Sequence, residues 1–307
     1  MIENRKQVIA ELQKVIVGKE KILEFVFSAI LAGGNILLED TAGVGKTTLA
    51  KSFGRVLALQ MQRVQFTPEL IPSDILGYMS YHTETKSFAY EEGPIMCHMF
   101  FADELNRASG KTQAALLEAM EEKQITVDKT TYALPEPFFV LATQNPLGTV
   151  GTQPLPYSQL DRFMVSLTMG YPDMESQLAI LKARQKEQPI NHLTKMLSKE
   201  TLIEWQNAVK EVEVTDEVLG YMIRLAEATR NHQSIQIGVS PRGIFALNQM
   251  AKAYAWLQNR SFVTPEDIYQ VFIPVFSHRI VLEENGFVNR KQAISVLKEI
   301  IQEVPVP

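Results

Sequence analysis

Short apolar runs recur through the first half of the chain, around residues 36, 64, 99, 140 and 165. Each run has the length of a strand, and most of the segments between them carry apolar residues at helical spacing. Alternation of strands and helices favours a parallel sheet with helices on both faces. The pattern therefore predicts an α/β fold with a five-stranded parallel sheet.

Two segments interrupt this alternation and read as hairpins. Residues 67–94 contain "GYMSYHTETKSFAYEEGP", with Tyr78 and Tyr81 on one arm and Phe88 and Tyr90 on the other. Residues 124–134, "QITVDKTTYAL", form a second predicted hairpin just before the fourth apolar run. Aromatic residues on a hairpin are more often packing residues than contacts for a partner.

From residue 173 onward only helical periodicity remains, with helix start signals such as "VTPEDI". There Thr264 is a cap, Pro265 takes the first helical position, and Glu266 and Asp267 face the positive end of the helix dipole. We therefore predict two domains, an αβα core over residues 1–172 and an all-α domain over residues 173–307.

Composition narrows the classes of function. The 307 residues suffice for two cores, and 46% hydrophobic with 21% charged residues is typical of a folded protein. No apolar run approaches the roughly 18 residues of a membrane span, so a cytoplasmic location is expected. A single cysteine, Cys97, and five scattered histidines argue against disulfide and metal-cluster chemistry. A net charge of -5 without a basic run makes nucleic-acid binding unlikely.

The stretch "LLEDTAGVGKTTLA", residues 37–50, predicts a phosphate-binding loop between a strand and a helix. Gly43 and Gly45 suit a loop whose backbone N–H groups surround phosphates, Lys46 suits the β and γ phosphates, and Thr47 suits Mg²⁺. The full motif has a glycine where this chain has Asp40, so the match is partial. The alternative is an ordinary strand-to-helix turn.

A second motif, "IMCHMFFADELNRA" at residues 95–108, is an apolar run that ends in two acids. Carboxylates at the end of a parallel strand lie at the edge of the sheet where ligands bind. Asp103 would hold Mg²⁺ through water and Glu104 would polarise the attacking water. Alone, such a pair is more often a solvated strand end.

The chain resembles the AAA+ ATPases and, within them, the MoxR family. Eight blocks appear in the family's order: "GVGKT", "FTPELIPSDILG", "FFADELNRA", "KTQAALLEAMEE", "LATQNP", "QLDRF", "GVSPRG" and "FSHRIVL". The departures are Ala42, Ser109 and Gly110, where the family often has proline. The resemblance implies a P-loop NTPase core followed by a helical lid, with the two hairpins near the central pore of a ring.

The resemblance assigns roles to three further residues. Asn145 matches sensor 1, which orients the attacking water, although a turn former before Pro146 is the plain alternative. Arg162 matches the arginine finger supplied by a neighbouring subunit, and its alternative is an ion pair with Asp161. Arg242 matches sensor 2, with Ser240 and Pro241 beginning its helix; plain capping with an exposed arginine is the alternative. Whether Arg242 acts on its own subunit or on a neighbour stays open.

The nucleotide contacts follow from the same resemblance. Ile16, Val17 and Gly18 match the segment lining the adenine, although ordinary core packing explains them nearly as well. Thr47 and Asp103 are the predicted metal ligands. The predicted phosphate and metal contacts together are Thr41, Ala42, Gly43, Val44, Gly45, Lys46, Thr47, Thr48 and Asp103.

The resemblance implies an ATP- and Mg²⁺-dependent, chaperone-like remodeller that assembles into a ring, expected to be a hexamer. The family typically acts on partners that carry von Willebrand factor A domains. A nucleic-acid motor or loader is the alternative, since relatives on the same scaffold open DNA. A nucleotide-gated binding module with little turnover would require loss of Glu104 or Asn145, and both are present.

Overall fold

The structure is a computed structural model that describes residues 2–145, 155–185, 188–282 and 290–307. Its helices are α1 (Ile2–Gln13), α2 (Glu20–Leu31), α3 (Lys46–Val56), α4 (Pro72–Leu76), α5 (Gly110–Glu122), α6 (Tyr157–Leu160), α7 (Met174–Arg184), α8 (Lys199–Lys210), α9 (Asp216–Asn231), α10 (Pro241–Leu257), α11 (Pro265–Phe276) and α12 (Arg290–Glu303). Its strands are β1 (Ile36–Glu39), β2 (Met61–Gln65), β3 (Gly77–His82), β4 (Ser87–Glu92), β5 (Met99–Asp103), β6 (Gln124–Val127), β7 (Thr130–Ala133), β8 (Phe139–Gln144), β9 (Val165–Leu167), β10 (Ile235–Ile237) and β11 (Val281–Leu282).

A five-stranded parallel sheet in the order β2-β5-β8-β1-β9 forms the first part of the molecule. All five strands overlap the predicted apolar runs, which confirms the predicted sheet. The register aligns Gln65 with Asp103 and Glu39 with Gln144. Because parallel strands end at one edge, the last residues of β1, β2, β5 and β8 meet there.

The strands alternate between two hydrophobic cores. In β1, Ile36 and Leu38 face one core, while Leu37 faces the other. This period of two is the geometry of a strand, and burial on both faces explains why β5 reads as a continuous apolar run. The first core contains α1, α2, α3 and much of the C-terminal helical part; the second contains α5.

Both predicted hairpins are present, as β3–β4 and β6–β7. Tyr81 and Phe88 face each other across β3 and β4 with ring centroids 5.2 Å apart, and both are mostly exposed. Tyr90 instead stacks on Tyr132 of the other hairpin at 4.2 Å. Thus Tyr90, the inner aromatic residue of β4, contacts the second hairpin.

The described residues after 173 are mainly helical, with one short two-stranded sheet and an isolated β-bridge between Glu213 and Phe262. Strands β10 and β11 pair antiparallel, with Ile235 opposite Leu282. The sequence did not predict them, because segments this short carry too little alternation to be recognised. Helix α11 starts with the predicted cap: Thr264 N–H donates to the Asp267 carboxylate at 2.8 Å. The boundary at 172/173 stays a prediction.

No helix in the described ranges is both long and apolar enough to cross a membrane. The cytoplasmic location stays a prediction.

Candidate active site

The loop between β1 and α3 has the backbone of an anion cradle. Gly43 and Gly45 adopt φ values of 87° and 100°, which a side chain would strain. Helix α3 begins at Lys46, and its N-cap, Gly45, offers no side chain to the first N–H groups of the helix. Those N–H groups and the helix dipole are therefore available to an anion.

The Lys46 ammonium group folds back onto this loop. Its Nζ donates to the backbone oxygens of Asp40 at 2.5 Å and Thr41 at 3.2 Å. Burial lowers the pKa of Lys46, whereas the carboxylates of Asp40, Asp103 and Glu104 act in the opposite direction. The lysine thus lies within electrostatic reach of both acids of the second motif.

Asp40, which stands where the full motif has glycine, anchors the loop to the segment after β9. Its buried carboxylate accepts hydrogen bonds from the backbone N–H groups of Met169 and Gly170, the latter at 3.2 Å. These charge-assisted bonds give the aspartate a structural function at that position. The loop therefore accommodates aspartate at position 40, and Gly43 and Gly45, which form the cradle, are still present.

Asp103 ends β5 in a network of donors. Thr143 Oγ1 donates to Asp103 Oδ1 at 2.7 Å, and Arg63 Nη2 donates to Oδ2 at 2.8 Å. Arg63 lies on β2 and its side chain is partly exposed, so this ion pair is only partly shielded from solvent. The network fixes the orientation of the carboxylate before any metal contact.

Glu104 follows in the left-handed region, with φ 57°, an uncommon conformation for glutamate. Its backbone N–H donates to Thr143 Oγ1 at 2.8 Å. Its Oε2 accepts from Gln65 Nε2 and from Arg107 Nη1, both at 2.9 Å. The turn therefore directs Glu104 away from the strand, and two side chains hold its carboxylate.

Asn145 directly follows β8, so the structure brings it to the same sheet edge as Asp103 and Glu104. Its backbone oxygen accepts from Asn106 Nδ2 at 3.2 Å. This bond ties the end of β8 to the 3-10 turn that follows Glu104. Pro146 lies outside the described residues.

A cavity of about 260 Å³ adjoins the phosphate loop. Val17 and Val44 line it from the core side, and Ile180 and Leu181 of α7 line it from the other. Gly18 lies at the edge of this region, where a Cβ would come within 2.2 Å of Ser176 Oγ. An apolar slot of this kind fits a flat base, as expected for the segment around Val17 and Gly18.

The donor set fits a nucleoside triphosphate with Mg²⁺. The uncapped α3 N-terminus and Lys46 suit the phosphates, while the half-buried Thr47 and the carboxylate of Asp103 suit a hard cation that prefers oxygen. The remaining loop residues, Thr41, Ala42, Val44 and Thr48, are at least partly accessible around this cradle.

Arg162 and Arg242 meet at a different place, on Glu121 of α5. Arg162 Nε lies 3.4 Å from Glu121 Oε2, and Arg242 Nη2 pairs with Glu121 Oε1. In the part of the chain that the structure describes, neither arginine bonds to the phosphate loop. The alternative interpretation of Arg162, an ion pair with Asp161, does not apply to the described residues, because Asp161 pairs with Arg279.

Asp161 pairs with Arg279, whose Nε donates to Asp161 Oδ1 at 2.8 Å. Ser240 Oγ donates to the other carboxylate oxygen at 2.8 Å and also accepts from Gly243 N–H as the cap of α10. Arg279 is fully buried, and burial lowers its pKa to about 10 despite the Asp161 carboxylate. This buried pair fixes the chain just before Arg162 and the helix start that carries Arg242.

Comparison with known proteins identifies the family. The model of the ATPase family associated with various cellular activities (AAA) matches residues 35–165, and an AAA lid domain model matches residues 227–300. Chaperone MoxR1 of Mycobacterium tuberculosis is 32% identical over 100% of this chain and 83% of its own length. The chain belongs to the MoxR family of AAA+ ATPases.

Two further matches cover nearly the whole of this MoxR-family chain. Uncharacterized protein YeaC of Bacillus subtilis is 43% identical over 97% of this chain and 93% of its own. A crystal structure of a candidate ATPase from Cytophaga hutchinsonii has a TM-score of 0.89 and 36% identity, covering 100% of this chain and 96% of that one. Fold and family are therefore confirmed, while the roles of individual residues stay predictions.

The sequence reasoning missed several residues of this MoxR-family site: Arg63, Gln65, Glu121, Thr143 and Arg279. Gln65 and Thr143 could have been found, since each lies at the carboxyl end of a predicted strand. Glu121 and Arg279 lie far along the chain from their partners and carry no local signal.

Proposed function

We propose that this MoxR-family chain is an Mg²⁺-dependent ATPase that acts as a chaperone-like remodeller in a ring, most simply a hexamer. The observation that carries the proposal is that the strand order brings the phosphate loop with Lys46, which follows β1, and the acids Asp103 and Glu104 at the end of β5 to the same edge of the sheet. Catalysis of phosphoryl transfer rests on positioning and charge, and this arrangement supplies both.

Each group has a role suited to its chemistry. Lys46 binds the β and γ phosphates, and Thr47 with Asp103 holds the metal ion. When bound, Mg²⁺ neutralises phosphate charge. Glu104 polarises the attacking water, and Asn145 orients it because an amide both accepts and donates.

Arg162 and Arg242 are proposed to serve the nucleotide of a neighbouring subunit. The Asp161–Arg279 pair holds the segments that carry both arginines, while Arg242 hydrogen-bonds Glu121 and Arg162 forms an ion pair with it. A guanidinium fork binds phosphate oxygens as it binds a carboxylate, so a nucleotide phosphate could replace Glu121 as the partner. We propose this exchange for both arginines, including Arg242, for which the sequence leaves its own and the neighbouring subunit open.

A client protein is the proposed substrate of the remodelling. Chaperone MoxR1 is a chaperone by name, and the family resemblance suggests partners with von Willebrand factor A domains. Tyr81 and Phe88, exposed at the end of β3–β4, supply an aromatic surface suited to a protein partner.

A nucleic-acid motor is disfavoured by the net charge of -5. Addition of single- or double-stranded DNA is expected to leave the rate of ATP hydrolysis unchanged. Stimulation by DNA that weakens with salt would favour the motor instead.

The central experiment compares Glu104→Gln with Glu118→Gln, a control at an exposed glutamate on α5. Glu104→Gln should bind ATP normally and hydrolyse it at least about 100-fold more slowly, as loss of a general base requires. The control should match wild type. Normal turnover by Glu104→Gln would remove Glu104 from its role, and absence of ATP binding by wild type would refute the proposal.

The Glu104→Gln variant can also be used to capture the client protein. Glu104→Gln loaded with ATP should retain a partner bearing a von Willebrand factor A domain in a pull-down, whereas Lys46→Ala should not. Equal retention by both would contradict nucleotide-dependent remodelling.

A further inference from the structure

A buried ion pair joins the last helix to the carboxyl edge of the sheet. Glu39, the final residue of β1, has a side chain only 14% exposed. Its Oε2 pairs with Arg290 of α12 and accepts from Ser166 Oγ at 2.5 Å, and its Oε1 accepts from Gln144 Nε2. The carboxylate thus links three strands and one helix.

Arg290 holds this junction with more than one bond. Its Nη1 donates to Ser166 Oγ at 2.9 Å, and its Nη2 donates to the Ser166 backbone oxygen at 2.5 Å. Burial lowers the pKa of Arg290, while the carboxylates of Glu39 and Asp40 act in the opposite direction. A fork with several donors suits such a site, and a single ammonium group would satisfy fewer of these acceptors.

The residues bound by Arg290 lie next to the proposed active site. Glu39 precedes Asp40, whose backbone oxygen accepts from Lys46. Gln144, opposite Glu39 in the register, precedes Asn145. A shift of the Glu39 side chain would therefore be transmitted along the backbone to the phosphate loop and, through Gln144, to the end of β8.

We infer that Arg290 is a positioning residue, which holds the phosphate loop and Asn145 in register through Glu39 and thereby couples the last helix to hydrolysis. The inference rests on the proposed ATPase function. It assigns Arg290 no contact with substrate.

The same contacts would be present if Arg290 only stabilised the fold. The test therefore needs a second buried ion pair as a control. Arg260 forms such a pair with Asp267, whose side chain is 1% exposed. That pair lies at the start of α11 and closes its capping box without touching the sheet. Arg260→Ala therefore removes a comparable pair while leaving the Glu39 junction intact.

Amide hydrogen exchange of the full chain without nucleotide provides a readout independent of ATP hydrolysis. In Arg290→Ala, residues 40–46 should exchange at least about tenfold faster than in wild type, because their anchoring is weakened. Arg290→Lys, which keeps the charge, should give an intermediate rate. Arg260→Ala should lower Tm but leave exchange in this loop unchanged.

Steady-state kinetics supply the second readout. Arg290→Ala should lower kcat by about tenfold or more, as expected for misplaced groups. Unchanged loop exchange or unchanged kcat in Arg290→Ala would overturn the inference, and so would equal effects of Arg260→Ala. A wild-type chain without ATP hydrolysis would refute the proposed function, while the exchange data alone would still test the role of the junction.

Discussion

Around the phosphate loop the predicted groups lie close to one another, whereas Arg162 and Arg242 contact a carboxylate that belongs to neither of their motifs. Lys46 lies within electrostatic reach of Asp103 and Glu104, and the ends of adjacent strands bring these groups together. Glu121, Arg162 and Arg242 come from three distant parts of the chain.

The two regions differ in how their charged groups are paired. In the phosphate region the arginines are already paired, Arg63 with Asp103 and Arg107 with Glu104. In the arginine region, Arg162 and Arg242 share the single carboxylate of Glu121. The arginine region therefore carries an excess of positive charge, which under the proposed function would serve the nucleotide of a neighbouring subunit.

The largest expected effect is on nucleotide binding. Lys46→Ala should abolish measurable ATP binding in calorimetry, because the α3 N-terminus alone lacks a full charge for the β and γ phosphates. Lys51→Ala, an exposed lysine on the same helix, is the control and should bind normally. Tight ATP binding by Lys46→Ala would contradict the assignment of the loop.

The next effect separates the two regions directly. Arg162→Ala should retain ATP binding yet lose on the order of 10³-fold in kcat, the magnitude of a finger supplied in trans. Mixing it with Lys46→Ala subunits should restore part of the activity, since each variant supplies what the other lacks. A loss below about tenfold, or no recovery on mixing, would assign Arg162 to its own subunit or to structure.

Arg279→Met tests the support of the arginine region. Removing this fully buried guanidinium leaves Asp161 without its cation, so the free energy of unfolding should fall by about 3–5 kcal/mol. Chemical denaturation measures this change. Loss of less than about 1 kcal/mol would mean that the pair does not hold the two arginine-bearing segments together.

The smallest expected effect is at Glu121. Its pairs with Arg162 and Arg242 are partly exposed, and such pairs contribute at most about 1 kcal/mol each. Glu121→Gln should therefore change kcat by less than about fivefold, measured at concentrations that permit assembly. A loss as large as that of Arg162→Ala would make Glu121 a positioning residue and not an exchangeable counter-ion.

The sheet and the phosphate loop could be predicted from the sequence because their signals are local. The apolar run ending at Asp103, the glycines around Lys46 and the start of α11 at Pro265 all act within a few residues. The partners of Arg162 could not be predicted, since Asp161 lies beside it in sequence but binds Arg279. Likewise, Asp40 reads as a departure from a motif until the fold brings Met169 and Gly170 to it.

The stack of Tyr90 on Tyr132 joins the two hairpins through a pair of aromatic rings. Separating the rings would expose both aromatic faces to water, so moving one hairpin independently of the other carries a free-energy cost. A displacement of β3–β4 would therefore be resisted by β7.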